Sequence, residues 1–423
     1  MDVETVSDLG PAERSAIFDR DAGVDAIRED VRTIVDRVRE EGDVALREFT
    51  AEFDDVDVGA IEITDDAEQA AATVDAEIHE AIDAAARNVR EFHERQVRED
   101  WREDFDGREL GRRFRPLERV GVYVPGGAAA YPSSALMGVI PAVVAGVDQV
   151  VVATPPAEEI NPVTLAAIHI AGADEVYQVG GAQAIAAMAH GTETIPAVQK
   201  IVGPGNRWVT AAKAAVQGDV SIDFLAGPSE VLVVADDTAD PGFVASELLV
   251  QAEHDEHAAV VAVTDDETMA TAIADEVDAQ LPERDRQETI EAALENDASG
   301  IFLARSMSEA ILFADEFAAE HLSIQVADPE TVLDRIDSAG SIFVGPHTPV
   351  AAGDYASGTN HVLPTNGLAK RHGGLSVDDF VRSTTIQRLD REGLESIGET
   401  IVTLADAEGL EAHAESVRRL LDE

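Results

Sequence analysis

A glutamine and a histidine three residues apart are the first candidates for chemistry in this 423-residue sequence. Gln251 and His254 belong to the string QAEHDEH, and the apolar spacing before them predicts a helix. Side chains three residues apart on a helix lie on the same face, so both can point at one ion. An amide oxygen and an imidazole nitrogen suit zinc or a similar divalent metal. The pair therefore predicts a metal site, with His257 either a rival ligand or an exposed helix residue.

A carboxylate and an imidazole in adjacent positions form a second candidate pair. Glu320 and His321 lie where a helical pattern gives way to a strand pattern. Side chains at such a junction can converge on a cleft and serve as acid and base near neutral pH. The alternative is a helix-end charge beside a partly buried histidine, and the two residues alone leave both interpretations open.

The composition excludes several other chemistries. The chain has 84 acidic and 31 basic residues, and its formal charge of −53 would repel nucleic acids and anionic membranes. The absence of cysteine excludes disulfides, zinc–thiolate clusters and a thiohemiacetal route to aldehyde oxidation. No secretory signal is visible at the start, so we expect a cytoplasmic protein. So acidic a chain also indicates adaptation to high salt, which screens carboxylate repulsion, and predicts salt-dependent folding.

Alternating strand and helix signals must position these residues. Residues 24–96 have the apolar spacing of long amphipathic helices. Two series of apolar, β-branched runs follow, with helical patterns between several of them, which is typical of βαβ units. The predicted strands are 120–124, 149–153, 175–179, 199–202 and 220–223 in the first series, and 231–235, 259–263, 301–304, 322–326 and 341–344 in the second.

The sequence thus predicts an α/β fold with two similar, incomplete Rossmann-like βαβ domains and additional helical segments at both ends. The glycine-rich residues 348–371 are expected to form an ordered functional loop, and the chain from Ser376 onward is expected to be largely helical. The expected divisions are an N-terminal segment (1–23), a discontinuous first α/β domain (24–119 and 230–372), a second α/β domain (120–229) and a C-terminal helical segment (373–423).

Nine strings in one order resemble the histidinol dehydrogenase family, and the resemblance extends from Val120 to His413. The strings are GVYVPGG (121–127), YPSSALM (131–137), GGAQAIAAMAHGT (180–192), KIVGPGN (200–206), DFLAGPSE (223–230), QAEHDEH (251–257), EHL (320–322), GDYASGTNHVLPT (353–365) and EGLEAHA (408–414).

This resemblance implies a four-electron oxidation of L-histidinol to L-histidine through histidinal, with two NAD⁺, as the last step of histidine biosynthesis. His321 would accept the proton in the alcohol step, and Glu320 would activate water in the aldehyde step. Four residues would hold zinc, namely Gln251, His254, Asp354 and His413. Seven would contact the substrate, namely Ser229, Gln251, His254, His321, Asp354, Glu408 and His413.

The resemblance also implies how the cofactor and a second subunit take part. The domain at 120–229 would bind NAD through Tyr123, Gln183 and Asn206. The protein would be a homodimer in which the C-terminal helices cross to the neighbouring subunit and bring Glu408 and His413 into its site.

Taken singly, several of these residues have simpler roles open to them. Tyr123 is otherwise a core aromatic, Gln183 a helix cap and Asn206 a turn residue, while Asp354 suits a turn and His413 a solvated helix. No strand-to-helix turn carries the GxGxxG dinucleotide fingerprint.

Other functions stay open at this point. They are a zinc-assisted NAD-dependent dehydrogenase of another amino alcohol, a metal hydrolase, although the chain lacks HExxH, and a non-enzymatic acidic scaffold.

Overall fold

A computed structural model describes residues 1–20, 23–126 and 130–422 of the chain. Asp21 and Ala22 of the expected N-terminal segment and Gly127 of the GVYVPGG string lie outside these ranges. The described residues form fourteen β-strands and seventeen α-helices. The strands are β1 (Val3–Thr5), β2 (Trp101–Asp104), β3 (Arg108–Pro116), β4 (Arg119–Tyr123), β5 (Gln149–Thr154), β6 (Glu175–Gln178), β7 (Lys200–Val202), β8 (Ser221–Ile222), β9 (Glu230–Ala235), β10 (Ala259–Thr264), β11 (Gly300–Leu303), β12 (His321–Gln325), β13 (Ser341–Val344) and β14 (Val381–Leu389).

The helices include the predicted amphipathic series between residues 24 and 96, whose apolar stripe is buried in the core. The helices are α1 (Pro11–Phe18), α2 (Arg28–Glu41), α3 (Asp43–Phe53), α4 (Thr64–Thr73), α5 (Ala76–Glu94), α6 (Pro132–Ala145), α7 (Pro162–Ala171), α8 (Gly181–His190), α9 (Arg207–Val216), α10 (Pro241–Ala252), α11 (Glu267–Gln280), α12 (Gln287–Leu294), α13 (Met307–Phe317), α14 (Pro329–Leu333), α15 (Val350–Tyr355), α16 (Arg391–Ala407) and α17 (Glu411–Asp422). No described helix is both long enough and apolar enough to cross a membrane.

The larger sheet has six parallel strands in the order β1-β11-β10-β9-β12-β13. β9 and β10 are buried along their whole length, as expected for parallel strands with helices on both faces. From β9 the chain proceeds to β10 and β11 on one side and then to β12 and β13 on the other. The strand order therefore reverses at β9.

The second sheet has five parallel strands in the order β6-β5-β4-β7-β8, and its order reverses at β4. Crevices beside the carboxyl ends of strands at such a reversal are the usual ligand sites of open α/β sheets. All ten predicted strands are present in the two sheets, with ends that differ by no more than one residue from the prediction. The prediction of an α/β fold with two Rossmann-like halves is confirmed.

A third, antiparallel sheet of order β14-β3-β2 was not predicted. β14 shows that the prediction of mainly helix from Ser376 onward is wrong for residues 381–389. β3 is rich in arginine and mostly half-buried, and β14 is polar and largely exposed, so both lack the apolar runs that identified the other strands.

Contacts divide the chain into two compact units. The first comprises Met1–Gln96 and Glu118–Phe380 and contains both parallel sheets. The second comprises Val97–Leu117 and Val381–Glu423 and contains the antiparallel sheet with α16 and α17. The finer division at residues 23, 119, 229 and 372 stays a prediction.

Candidate active site

The amino edge of the larger sheet holds the first group of predicted site residues. His321 begins β12 directly after Glu320, and Ser229 immediately precedes β9, the neighbouring strand. α13 ends at Phe317, so the pair lies at a helix-to-strand junction, as the sequence pattern indicates. Ser229 is partly buried and accepts the backbone N–H of Ala259. The group occupies the edge opposite to the one where ligands of such sheets usually bind.

Charged and polar groups surround the ring of His321. Its Nδ1 lies 3.6 Å from Oε2 of Glu320, and its Nε2 lies 3.4 Å from Oδ1 of Asp354. Nδ1 also lies 3.2 Å from the backbone carbonyl oxygen of Glu230. Nε2 is buried and has no aligned hydrogen-bond partner among the described residues, so it is available to a bound molecule.

The pKa values of Glu320 and His321 are both raised, which favours their protonated forms. Burial raises the pKa of the Glu320 carboxyl to about 7, although the ring of His321 opposes the shift. Burial alone would lower the pKa of His321, but the carboxylates of Glu320 and Asp354 outweigh it and raise this pKa to about 9. The pair thus combines a strong imidazole base with a carboxylate that titrates near neutral pH.

Gln251, a predicted zinc ligand, has a buried side-chain oxygen without a partner in the described part of the chain. It lies on α10, is 2% exposed, and its Oε1 has no hydrogen-bond partner among the described residues. The prediction that His254 shares this helix is wrong, because α10 ends at Ala252 and His254 lies on the following turn. The backbone N–H of His254 donates to the carbonyl oxygen of Gln251, which keeps the two residues adjacent.

Asp354 reaches the cluster from a short helix instead of the expected loop. It is the fifth residue of α15, which begins at Val350. Burial alone would raise the pKa of Asp354, but His321, His361 and His254 outweigh it and lower this pKa. Asp354 and His254 are therefore close enough to interact, and they come from separate parts of the sequence.

The donors in this region fit a divalent metal. A buried oxygen without a hydrogen-bond partner, such as Oε1 of Gln251, costs free energy of folding unless a ligand binds to it. Nitrogen and oxygen donors of this kind suit zinc. Within residues 1–20, 23–126 and 130–422, no three His, Cys, Asp or Glu side chains are grouped to hold a metal ion. Of the predicted zinc ligands, the first unit supplies one histidine, one aspartate and one glutamine, and His413 belongs to the second unit.

A cavity of about 1080 Å³ contains the three predicted cofactor residues. It lies at the carboxyl edge of the second sheet, where Tyr123 ends β4, Gln183 lies in the first turn of α8, and Asn206 caps α9. Burial raises the pKa of Tyr123 to about 12, and its hydroxyl oxygen accepts the backbone N–H of Gly181. The amino ends of two ten-residue helices open on this cavity, an arrangement that favours anionic groups such as a pyrophosphate.

The GPGN turn beside this cavity is held by a buried ion pair. Lys213 Nζ donates to Oδ1 of Asp223 at 2.7 Å and to the carbonyl oxygen of Gly203 at 2.6 Å, while Asp223 Oδ2 accepts the N–H of Gly203. Gly203 has a φ of 111°, and a Cβ there would collide with the carbonyl oxygen of Tyr123. The turn therefore requires glycine at this position.

Glu408 and His413 are the predicted site residues of the second unit. Glu408 follows the end of α16 and His413 lies in the first turn of α17, and both side chains are exposed. Nothing within the second unit buries them, which is compatible with a role at a surface.

Several polar residues of the site region were not predicted from the sequence. Glu247 is buried on α10, and its Oε2 accepts the N–H of Val350, the first residue of α15. The sequence could have indicated Glu247, because it is a charged residue on the apolar face of a helix, four positions before Gln251. His361 approaches the carbonyl oxygen of Asp354 through Nδ1 at 2.8 Å. Asp54 lines the cavity, and nothing in the sequence around it indicates a role in a site.

A proton-handling cluster at one Rossmann-like sheet and a cavity at the reversal point of another define an α/β oxidoreductase of the dehydrogenase type. A family model described as histidinol dehydrogenase matches residues 19–420. The chain belongs to the histidinol dehydrogenase family, whose members are oxidoreductases that act on a small-molecule substrate.

Individual relatives agree with this membership. A histidinol dehydrogenase of Haloarcula marismortui is 70% identical over 419 residues, covering 99% of both chains. A histidinol dehydrogenase of Halobacterium salinarum is 69% identical over 406 residues, covering 96% of both chains. Both organisms are halophilic archaea, in keeping with the salt adaptation predicted from charge. The crystal structure of histidinol dehydrogenase from Elizabethkingia anophelis matches with a TM-score of 0.94 and 39% identity, covering 100% of this chain and 97% of that one.

Proposed function

We propose that this chain oxidises L-histidinol to L-histidine through histidinal, using two molecules of NAD⁺ and one bound zinc ion. Family membership supports the reaction. The observation that carries the chemistry is the buried cluster in which His321 lies between Glu320 and Asp354. The enzyme is proposed to act in the cytoplasm.

Zinc would be held by Gln251, His254, Asp354 and His413. The unpartnered Oε1 of Gln251 supports this ligand set. When bound, the ion would orient the amine and imidazole of the amino alcohol and polarise its hydroxyl group. Substrate contacts are proposed for these four residues and for Ser229, His321 and Glu408.

His321 accepts the hydroxyl proton in the alcohol step. With its pKa raised to about 9, the neutral ring is a strong base, but most of it is protonated near neutral pH, so this step should accelerate as the pH rises towards 9. The neighbouring carboxylates stabilise the imidazolium that results. A hydride passes from the carbinol carbon to the first NAD⁺ in the same step. Histidinal is the product of this half of the reaction.

Glu320 takes a proton from water in the aldehyde step. The chain has no cysteine to capture the aldehyde, so the second oxygen must come from water. With a pKa of about 7, Glu320 is basic enough to activate water and is half ionised near neutral pH. The hydrate then gives up its hydride to the second NAD⁺.

NAD⁺ binding is proposed in the cavity that contains Tyr123, Gln183 and Asn206. Residues 223–229 connect β8 of the second sheet to β9 of the larger sheet. The carboxyl edge of the second sheet therefore leads directly to the amino edge of the larger sheet. This connection supports a cofactor that extends from the cavity towards His321.

The active protein is proposed to be a homodimer in which Glu408 and His413 serve the site of the neighbouring subunit. Their exposure within the second unit supports this sharing. A mixed dimer tests it, combining a chain that carries Gln251→Ala and His254→Ala with a chain that carries His413→Ala. Activity recovered after co-refolding supports sharing, and its absence in confirmed heterodimers contradicts it.

The reaction itself is tested by an NADH-linked assay with L-histidinol in concentrated KCl. Two molecules of NADH per substrate consumed are expected, because the aldehyde stays bound between the two hydride transfers. A ratio of one contradicts the two-step proposal. Other amino alcohols, assayed in parallel, test the alternative of a zinc-assisted dehydrogenase with a different substrate.

A further inference from the structure

The cavity that contains Tyr123, Gln183 and Asn206 is acidic. The described residues that line it include three carboxylates, Glu52, Asp54 and Glu159, and no lysine or arginine. A site for a phosphorylated ribose normally supplies a cation to the phosphate. This cavity offers the opposite charge.

Asp54 is placed where helix electrostatics disfavour an anion. It caps the carboxyl end of α3, and its backbone N–H donates to the carbonyl oxygen of Thr50. The negative end of a helix dipole repels a carboxylate. Burial raises the pKa of Asp54 to about 6. Its Oδ2 is buried without a hydrogen-bond partner among the described residues. A carboxylate in a position that disfavours its charge is expected mainly at functional sites.

Thr154 provides an independent observation in the same cavity. It ends β5, the strand beside β4, where the usual dinucleotide site carries an acidic residue for the ribose hydroxyls. Thr154 is 1% exposed, and its Oγ1 has no hydrogen-bond partner among the described residues. The cavity therefore has an unpartnered hydroxyl at the standard ribose position and an unpartnered carboxylate oxygen on Asp54, the residue that follows α3.

We infer that Asp54, together with Thr154, binds the adenosine ribose hydroxyls of the dinucleotide and makes this site select NAD⁺ over NADP⁺. The inference rests on the proposed binding of NAD⁺ in this cavity. A carboxylate accepts hydrogen bonds from adjacent hydroxyls but repels the 2′-phosphate of NADP⁺. Burial is the main cause of the raised pKa of Tyr123 and Asp54 adds to it, so the two residues lie within electrostatic range of each other.

Asp54 is favoured over the other two carboxylates because of its burial. Glu52 and Glu159 are exposed, and Asp54 is partly buried. In molar salt the screening length is about 3 Å, so exposed charges discriminate weakly between cofactors, whereas a partly buried charge is screened much less. Selection in a salt-adapted enzyme therefore needs a carboxylate in short-range contact with the ribose.

The test compares Asp54→Asn with the matched control Asp55→Asn. Asp55 follows in the chain and is exposed, and it has a positive φ of 56°, which asparagine tolerates. The measurement is kcat/KM for NAD⁺ and NADP⁺ at saturating L-histidinol in concentrated KCl. Asp54→Asn is expected to lower the NAD⁺-to-NADP⁺ preference by about tenfold or more, and Asp55→Asn to leave it unchanged. If the asparagine variant does not fold, Asp54→Ser provides the same comparison.

Direct titration of NADH and NADPH by fluorescence separates this inference from the proposed cofactor site. If Asn206→Ala weakens NADH binding but Asp54→Asn leaves the preference unchanged, the role of Asp54 is overturned and the cofactor site stands. Equal losses for both cofactors in Asp54→Asn assign it a structural role and also overturn the inference. If neither Asn206→Ala nor Asp54→Asn changes NADH affinity, the cofactor binds elsewhere and both proposals fail.

Discussion

The carboxylate Oε2 of Glu247 accepts a hydrogen bond from the backbone N–H of Val350 at 2.8 Å. Glu247 lies one turn before Gln251 on α10, and Val350 begins α15, which carries Asp354. This single bond therefore links the two helices that carry proposed zinc ligands. It also satisfies an N–H group at a helix start that would otherwise be unpaired.

Replacement of Glu247 is expected to disturb the position of Asp354. Glu247→Ala leaves the N–H of Val350 unpaired and should lower the free energy of unfolding by about 1–3 kcal/mol. Zinc affinity, measured by competition with a chelating dye, should fall by about tenfold or more because a supporting contact is lost. Glu247→Gln keeps an acceptor oxygen and should retain most of both properties. Equal zinc affinity in Glu247→Ala and the unmodified chain would show that the bond does not position Asp354.

The turn at Gly203 is expected to tolerate no side chain. Gly203→Ala forces a collision with the carbonyl oxygen of Tyr123 at a φ of 111°, so unfolding free energy should fall by about 1–3 kcal/mol and NADH binding should weaken. Gly218→Ala is the matched control, since a Cβ there meets no atom within 4 Å. Chemical denaturation and NADH titration measure both effects. Equal behaviour of the two variants contradicts the steric argument.

The parallel sheets could be predicted from the sequence because buried strands are continuous apolar runs. β9 and β10 read as EVLVVA and AVVAVT, a pattern that a solvated segment would not have. β14 escaped prediction because its pairing with β3 joins residues more than 260 positions apart and its faces are largely exposed. Local periodicity does not report such a pairing.

The sequence predicted which residues form the site better than it predicted which other residues surround them. Gln251 and His321 were found through chemistry-bearing residue types and ordered strings, and their strand and helix positions followed. Asp54 and Thr154 become candidates only because distant segments of the chain meet at one cavity. Their burial and their unpaired oxygen atoms are properties of the tertiary structure, which local sequence does not show. The end of α10 before His254 is likewise a local detail that apolar spacing does not fix.

Burial of His93 is expected to make stability sensitive to mild acid. Its side chain is fully buried, its Nδ1 lies 2.7 Å from the carbonyl oxygen of Val89, and its Nε2 lies 3.4 Å from the amide nitrogen of Asn360. Burial lowers the pKa of His93 below its ordinary value. Below about pH 6.5 the unfolded chain therefore binds a proton that the folded chain resists, so stability is present above that pH and falls as pH decreases.

The variant His93→Gln should show a shallower decline in unfolding free energy between about pH 7.5 and 5.5, because one titrating group is lost. His79→Gln is the control, since the side chain of His79 is 39% exposed and lies near Asp83 of its own helix. Denaturant titrations at several pH values measure the slopes. A slope in His93→Gln equal to that of the unmodified chain would assign the acid sensitivity to other groups.

Folding is expected to depend on salt because of the net charge. With a formal charge of −53, carboxylate repulsion opposes the compact state in dilute buffer. Raising KCl from about 0.1 M to about 3 M shortens the screening length several-fold and should raise Tm substantially. Sucrose, which stabilises proteins by exclusion without screening charge, is the control. Equal Tm values at both KCl concentrations contradict this prediction.

Glu320→Gln is expected to separate the two halves of the proposed reaction. Glutamine keeps the size of the side chain but accepts no proton from water, so the aldehyde step should slow by about 10²–10⁴-fold while the alcohol step continues through His321. The NADH yield per substrate should therefore approach one, and histidinal should become trappable by semicarbazide. His321→Asn provides the contrast, because loss of the imidazole slows the first hydride transfer and leaves no aldehyde to trap. Two NADH per substrate at an undiminished rate in Glu320→Gln would show that another group activates the water, and Asp354, which lies on the opposite side of the His321 ring, would then be the nearest carboxylate to examine.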